Sequence, residues 1–180
     1  MCSSDLIAPE YQRYLFDLIW DAGREFDMRL FGFRALITMR LEKNFGTWFR
    51  EYRPIYTPLE AGMDRVLKLD HDFIGREAVE AEIAAGGPKR TLVMFDVQVD
   101  PEAPADVLGD EPVWHDGEVV GWITSGGYAH YSAKSLALGY IPTELVDSTG
   151  SFEIEIIGRR RPATILHDPV LDPEGLRMRA

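Results

Sequence analysis

The chain has 180 residues, enough for one domain and a little more, and 46% hydrophobic, 27% charged and 11% aromatic residues exclude the collagen-like, low-complexity and disordered classes. Nineteen Lys and Arg against thirty Asp and Glu leave a net charge of −11, a field that repels nucleic acid and anionic membrane surfaces and argues against both as partners. Cys2 is the single cysteine, too few for an intramolecular disulfide or a cysteine zinc site, and this usage points to a reducing, cytoplasmic compartment. No run reaches the roughly 18 to 20 apolar residues of a membrane span. The start, MCSSDLIAPE, lacks the basic and apolar regions of a secretory signal. Its CSSDL run is what one frame of a sequencing-library adapter encodes, so residues 1–6 are read as a non-native scar, with the natural protein extending upstream.

From Pro9, the positions Tyr11, Tyr14, Leu15, Leu18, Ile19, Ala22 and Phe26 recur at three- and four-residue steps, which predicts an amphipathic helix started by a proline in its first turn. Phe16 and Trp20 form a second apolar pair on another side, so this helix is expected to leave apolar surface for neighbours. A second helix is expected over about 34–43. An aromatic segment, GTWFREYRPIYTP, then reads as a functional loop or a packed excursion. Residues 73–85 predict a short helix stopped by Gly86, Gly87 and Pro88.

After Pro88 the pattern changes. Segments 91–99, 118–124, 134–141, 151–157 and 162–167 are short apolar runs separated by turn residues, the signature of a small antiparallel sandwich or barrel. Asp116-Gly117 between apolar pairs predicts a primed hairpin turn. Ser125-Gly126-Gly127 reads as a strand-end turn, and Arg159, Arg160 and Arg161 as a solvated hairpin tip.

Little of this carries chemistry. The four histidines are scattered, no pair has the spacing of a helical zinc site, and there is no glycine-rich nucleotide fingerprint. Glu42 stands out, because at i+7 and i+3 from Ala35 and Met39 it continues an apolar helix face with no cation three or four residues away. Two readings remain open. Either a distant arginine or partial exposure at the helix end satisfies the carboxylate, or it accepts the paired N–H donors of a planar ligand edge. Trp48, Tyr52 and Tyr56, with Arg50 and Arg53 between them, could wall a flat heteroaromatic ligand or simply pack.

The blocks ALITMRLEKNFGTWFREY (35–52), YTPLEAGMDRVLKLDHDFIGREA (56–78), GWITSGGY (121–128), KSLALGYI (134–141) and DPVLDPEGLRMR (168–179) together resemble the folate-dependent aminomethyltransferase family. That family includes the T-protein of the glycine cleavage system and the C-terminal region of dimethylglycine and sarcosine dehydrogenases. The resemblance implies an α+β fold. Residues 1–87 would be the tail of an α/β folate-binding domain, 88–175 a small antiparallel β-barrel and 176–180 a tail. It implies tetrahydrofolate as cofactor, held by Glu42 of the RLE motif, by Trp48 in place of a loop tyrosine, by Tyr52, and by Arg177 or Arg179 near the end of the chain.

The implied reaction is one-carbon transfer from a methylated amine or from glycine to N5 of tetrahydrofolate, giving methylenetetrahydrofolate. The catalytic aspartate is expected in an upstream region, so this piece would be a fragment with little activity of its own. FAD, if used, would belong to an upstream flavin domain or a partner subunit. A non-catalytic ligand-binding or scaffold module of the same fold is the alternative.

Overall fold

The structure, a computed structural model, describes residues 6–177 and 179. Residues 1–5, on which the scar reading mainly falls, lie outside it, as do residues 178 and 180 of the tail. Two compact units divide the chain, Met1–Phe33 and Arg34–Ala180.

The first unit contains α1 (Gln12–Gly23), flanked by single 3-10 turns at Pro9–Tyr11 and Arg24–Phe26. Pro9 occupies the first helical position, where its missing N–H costs nothing. The helical stretch ends where Asp27 takes a left-handed conformation. Phe16 and Trp20 stack with ring planes 5° apart. No residue of α1 is buried, and Tyr14, Phe16, Leu18 and Ile19 are exposed, in line with the expected apolar surface.

In the second unit, α2 (Phe33–Glu42) and α3 (Arg76–Ala84) precede six strands: β1 (Arg90–Val97), β2 (Pro112–His115), β3 (Glu118–Ala129), β4 (Lys134–Pro142), β5 (Phe152–Ile156) and β6 (Arg159–Leu166). Every strand pair is antiparallel, and the order β1-β4-β3-β2-β5-β6 closes into a barrel. The expected α+β class with a C-terminal barrel is what forms. Closure removes the exposed sheet edges that an open six-stranded sheet would carry.

The pleat sorts the side chains. Val93, Phe95 and Val97 of β1 meet Ile123, Ala137, Ile141 and Ile154 inside the barrel. Met94 of β1 and Leu136 and Leu138 of β4 point the other way and pack against Leu41 of α2. β4 is therefore apolar on both faces, because one faces the barrel interior and the other faces a helix. Fully buried side chains of this size contribute roughly 1.5–3 kcal/mol each, so Leu41 anchors the end of α2 to the outside of the barrel.

Three expectations are corrected. Ser125-Gly126-Gly127 is not a strand-end turn: it lies inside β3, just after a register shift between Ile123 and Ser125. A side chain at Gly126 would sit 2.6 Å from Val107, so the glycine answers to close packing rather than to a turn. Arg159–Arg161 are not a hairpin tip, since the left-handed Ile157 and Gly158 make the turn and the arginines open β6. Arg161 is buried, donating from Nη1 to Ala105 O at 2.8 Å and from Nη2 to Ala103 O. Finally, Ala35 and Met39 are exposed, so no continuous buried face runs from them to Glu42. Only the last turn of α2 is buried. The Asp116-Gly117 hairpin forms as expected, with positive φ at both residues and His115 paired to Glu118.

Candidate functional site

The site is organised by the end of α2. The helix closes with Asn44 in the left-handed region, the Asn44 N–H donating to Leu41 O and the Phe45 N–H to Arg40 O. That cap aims three consecutive buried residues, Arg40, Leu41 and Glu42, in three directions.

Arg40 reaches Glu51, a fully buried carboxylate. Glu51 Oε2 accepts from Arg40 Nη1 at 3.3 Å, Thr47 N at 2.7 Å and Thr47 Oγ1 at 3.1 Å. Its Oε1 accepts from Thr124 Oγ1 at 2.7 Å and from Ser125 Oγ. Burial pulls the Arg40 guanidinium below its ordinary pKa, opposed by the Glu51 charge. A buried carboxylate that accepts through both oxygens ties the 46–52 loop to β3, while Arg40 Nε stays buried without a partner among the described residues. Sequence reading missed Glu51, because the donors to its Oε1 lie more than seventy residues away in β3.

Glu42 is only 3% exposed. Its Oε1 accepts from the backbone N–H of Tyr131 at 3.0 Å, from the N–H of Ser132 at 3.0 Å and from the Ser132 hydroxyl at 3.1 Å. The donors belong to the tip of the β3–β4 hairpin, so backbone N–H groups and a hydroxyl stand where one of the two open readings put a distant arginine. Arg40, the nearest guanidinium in sequence, is committed to Glu51. Oε2 receives no hydrogen bond among the described residues. Glu42 lines a cavity of about 360 Å³ with Met39, Lys43, Tyr131, Leu171, Asp172 and Arg177.

The C-terminal segment completes this cavity. Leu171 N–H donates to Glu42 O at 3.0 Å, and Lys43 Nζ donates to Asp172 O and pairs with Asp172 Oδ2 at 3.2 Å. Asp172 in turn accepts the Arg177 N–H at 3.3 Å. Partial desolvation would raise the Asp172 carboxyl, but the Arg177 N–H and the Lys43 ammonium outweigh it and hold the pKa below the ordinary value. Tyr131, ahead of Asp172, holds the Arg177 guanidinium above its usual range.

The residues expected to hold a cofactor are therefore divided. Glu42 and Arg177 share one cavity. Tyr52 and Arg179 line another, of about 630 Å³, together with Lys43 and Arg65. Trp48 lines neither: it is 79% exposed, its ring edge-on to Phe49. Tyr56 stacks on Tyr140 at 3.9 Å and accepts the Trp122 indole N–H at 3.0 Å, a packing role. Thr57 and Glu60 form reciprocal side-chain to backbone hydrogen bonds, and Glu60 also accepts from Arg90, so that turn is structural. Tyr131, Ser132, Lys43 and Asp172 went unrecognised in the sequence, since nothing local marks a hairpin tip as the donor to a glutamate ninety residues earlier.

Tetrahydrofolate can be tested against these atoms. One carboxylate oxygen without a donor among the described residues, a tyrosine ring and a guanidinium around a cavity at the lower end of the roughly 300–1,000 Å³ ligand range fit a planar ring bearing N–H donors. The fit differs from the expected two-oxygen pairing in one respect: Oε1 already has three donors, which leaves Oε2 as the acceptor.

Comparison with known proteins agrees with this architecture. Residues 90–172 match the Glycine cleavage T-protein C-terminal barrel domain, and residues 6–71 match the GCVT N-terminal domain. Dimethylglycine dehydrogenase, mitochondrial, of Rattus norvegicus is 40% identical over 92% of this chain, which spans 19% of that protein. An aminomethyltransferase of Synechocystis is 34% identical over 86% of this chain, which spans 40% of it. The crystal structure of the glycine cleavage system aminomethyltransferase T from Bartonella henselae shares the fold, with a TM-score of 0.74 and 21% identity over 90% of this chain and 44% of that one. With two successive domain models matched in order, a barrel of matching fold and relatives of both kinds, the chain belongs to the glycine cleavage T-protein (aminomethyltransferase) family.

Proposed function

We propose that this chain is the folate-holding part of an enzyme that passes a one-carbon unit from a methylated amine or from glycine to tetrahydrofolate, in a protein of the dimethylglycine or sarcosine dehydrogenase kind. The observation that carries the reading is the cavity at Glu42, where a buried carboxylate keeps one oxygen without a donor among the described residues, beside Arg177. Tetrahydrofolate, when bound, supplies the secondary amine that accepts the one-carbon unit. The chain's own residues bind and orient it: Glu42 Oε2 accepts from the amino-pyrimidinone edge, and Arg177 presents its guanidinium to the same cavity. Such positioning alone removes several kcal/mol of the barrier to encounter, up to about 7–11 kcal/mol in the best intramolecular cases.

In this reading residues 1–87 belong to the folate-binding domain, 88–175 to the barrel domain and 176–180 to the tail. Tyr52 and Arg179, in the neighbouring cavity, meet a more distant part of the ligand, and Trp48 offers an exposed aromatic face. Proton transfer falls to an aspartate upstream, and FAD to an upstream flavin domain or a partner subunit. We keep the cytoplasmic assignment as a proposal beside a rat relative whose name places it in mitochondria.

Calorimetric titration of tetrahydrofolate into the chain tests the reading. Weak binding is expected, and Glu42→Gln is expected to weaken it about tenfold, the worth of one hydrogen bond to a charged acceptor. Micromolar binding indifferent to that substitution overturns the role of Glu42. A non-catalytic module of the same fold is the second reading, favoured by one observation: three donors from the hairpin give Glu42 a structural task of its own. Under that reading Glu42→Gln lowers the melting temperature while folate leaves the melting temperature of both proteins unchanged.

A further inference from the structure

The geometry points to Tyr131 as the ring wall of the Glu42 cavity, a specificity-determining residue that stacks on the planar ring of the ligand; this rests on the proposal that the cavity receives a pteridine. Tyr131 lies at the tip of the β3–β4 hairpin, between the paired residues Ala129 and Lys134. The tip is held twice, by the left-handed Ala133 and by the hydrogen bonds from Tyr131 N and Ser132 N to Glu42 Oε1. The backbone that carries the ring is therefore fixed to the same carboxylate whose other oxygen has no donor among the described residues. Ring and acceptor are placed relative to each other by a single contact.

The hydroxyl of Tyr131 meets Arg177, whereas the faces of its ring are not covered by another ring among the described residues. The residue is 70% exposed. Its neighbour His130, by contrast, is edge-on to Tyr128 at 5.2 Å. Yet Tyr131 lines the cavity together with Met39 and Leu171, and it stands beside Arg177, whose pKa it raises. An aromatic face, two apolar side chains and a guanidinium around one free acceptor suit a flat, electron-rich heterocycle better than an aliphatic ligand. Trp48 lines neither cavity, so Tyr131 takes the stacking role that one of two readings of the sequence gave to Trp48, Tyr52 and Tyr56.

The test is equilibrium binding to the full 180-residue chain, in the wild type, Tyr131→Phe, Tyr131→Leu, Tyr131→Ala and Glu42→Gln. Tetrahydrofolate, tetrahydropterin and p-aminobenzoylglutamate are titrated separately. Tyr131→Ala and Tyr131→Leu are expected to weaken tetrahydrofolate and tetrahydropterin about tenfold, Tyr131→Phe by less than about twofold, and p-aminobenzoylglutamate is expected to be unchanged in all three. Melting temperatures of the Tyr131 variants should match the wild type, and Tyr131→Leu keeps the test valid if Tyr131→Ala does not fold. Wild-type affinity in Tyr131→Leu, with Glu42→Gln weakened, overturns the role of Tyr131 and leaves the folate reading standing. Equal losses for p-aminobenzoylglutamate overturn the ring-stacking role. Absence of binding in the wild type, or indifference to Glu42→Gln, overturns both.

Discussion

Ser132 donates twice to one oxygen of Glu42, from its backbone N–H at 3.0 Å and from its hydroxyl at 3.1 Å. A barrel hairpin thereby holds the last residue of α2. Ser132→Ala removes only the hydroxyl and leaves the two backbone donors. Urea denaturation should show a loss of about 1–2 kcal/mol with an unchanged m-value, and tetrahydrofolate affinity should fall less than in Glu42→Gln.

Glu51 is predicted to be among the most sensitive positions in the chain. Glu51→Ala leaves Arg40 buried without its counter-charge, takes from Ser125 the acceptor of its hydroxyl and leaves Thr124 with Leu138 O alone. The expected loss is about 3–5 kcal/mol. Adding Arg40→Met should recover part of it, because the orphaned charge is then gone as well. A double-mutant cycle on denaturant midpoints measures that coupling.

The Asp172 contacts predict an acid-labile C-terminal segment. Its carboxyl lies below the ordinary value of 3.8 in the folded chain. The stability it contributes is thus fully present above that pH and is lost as pH falls through the lowered folded value. Stability measured against Asp172→Asn should differ at neutral pH, and the difference should begin to shrink near 3.8 and vanish only below the lowered folded value. A difference that persists in strong acid would assign the effect to geometry rather than charge.

Gly126 predicts an overpacking penalty. A Cβ there meets Val107 at 2.6 Å, so Gly126→Ala should cost about 1–3 kcal/mol. Gly127→Ala is the control, since its Cβ has only ordinary contacts at 3.7 Å with Leu41 and Thr38. Thermal melting of the pair separates close packing from a general intolerance of side chains in β3.

The local pattern determined much of this protein. Apolar periodicity placed α1, α2 and α3 within a few residues, alternation located five of the six strands, and Asp116-Gly117 named its hairpin. Those features depend on neighbours in the chain, where backbone conformation and side-chain spacing act directly. The singular carboxylate Glu42 was also legible, although the face read into Ala35 and Met39 is exposed, because a buried acid with no cation three or four residues away needs donors from elsewhere. Tertiary structure alone decided who the donors are. The Glu42 partners stand at 131 and 132, the Glu51 partners at 124 and 125, and the residues closing the cavity at 171, 172 and 177. Each arrives through barrel closure, which brings the β3–β4 tip and the end of the chain to the last turn of α2. A hydrogen bond across ninety residues leaves no periodic trace in the sequence, because its energy depends on where two segments dock rather than on what lies beside either residue.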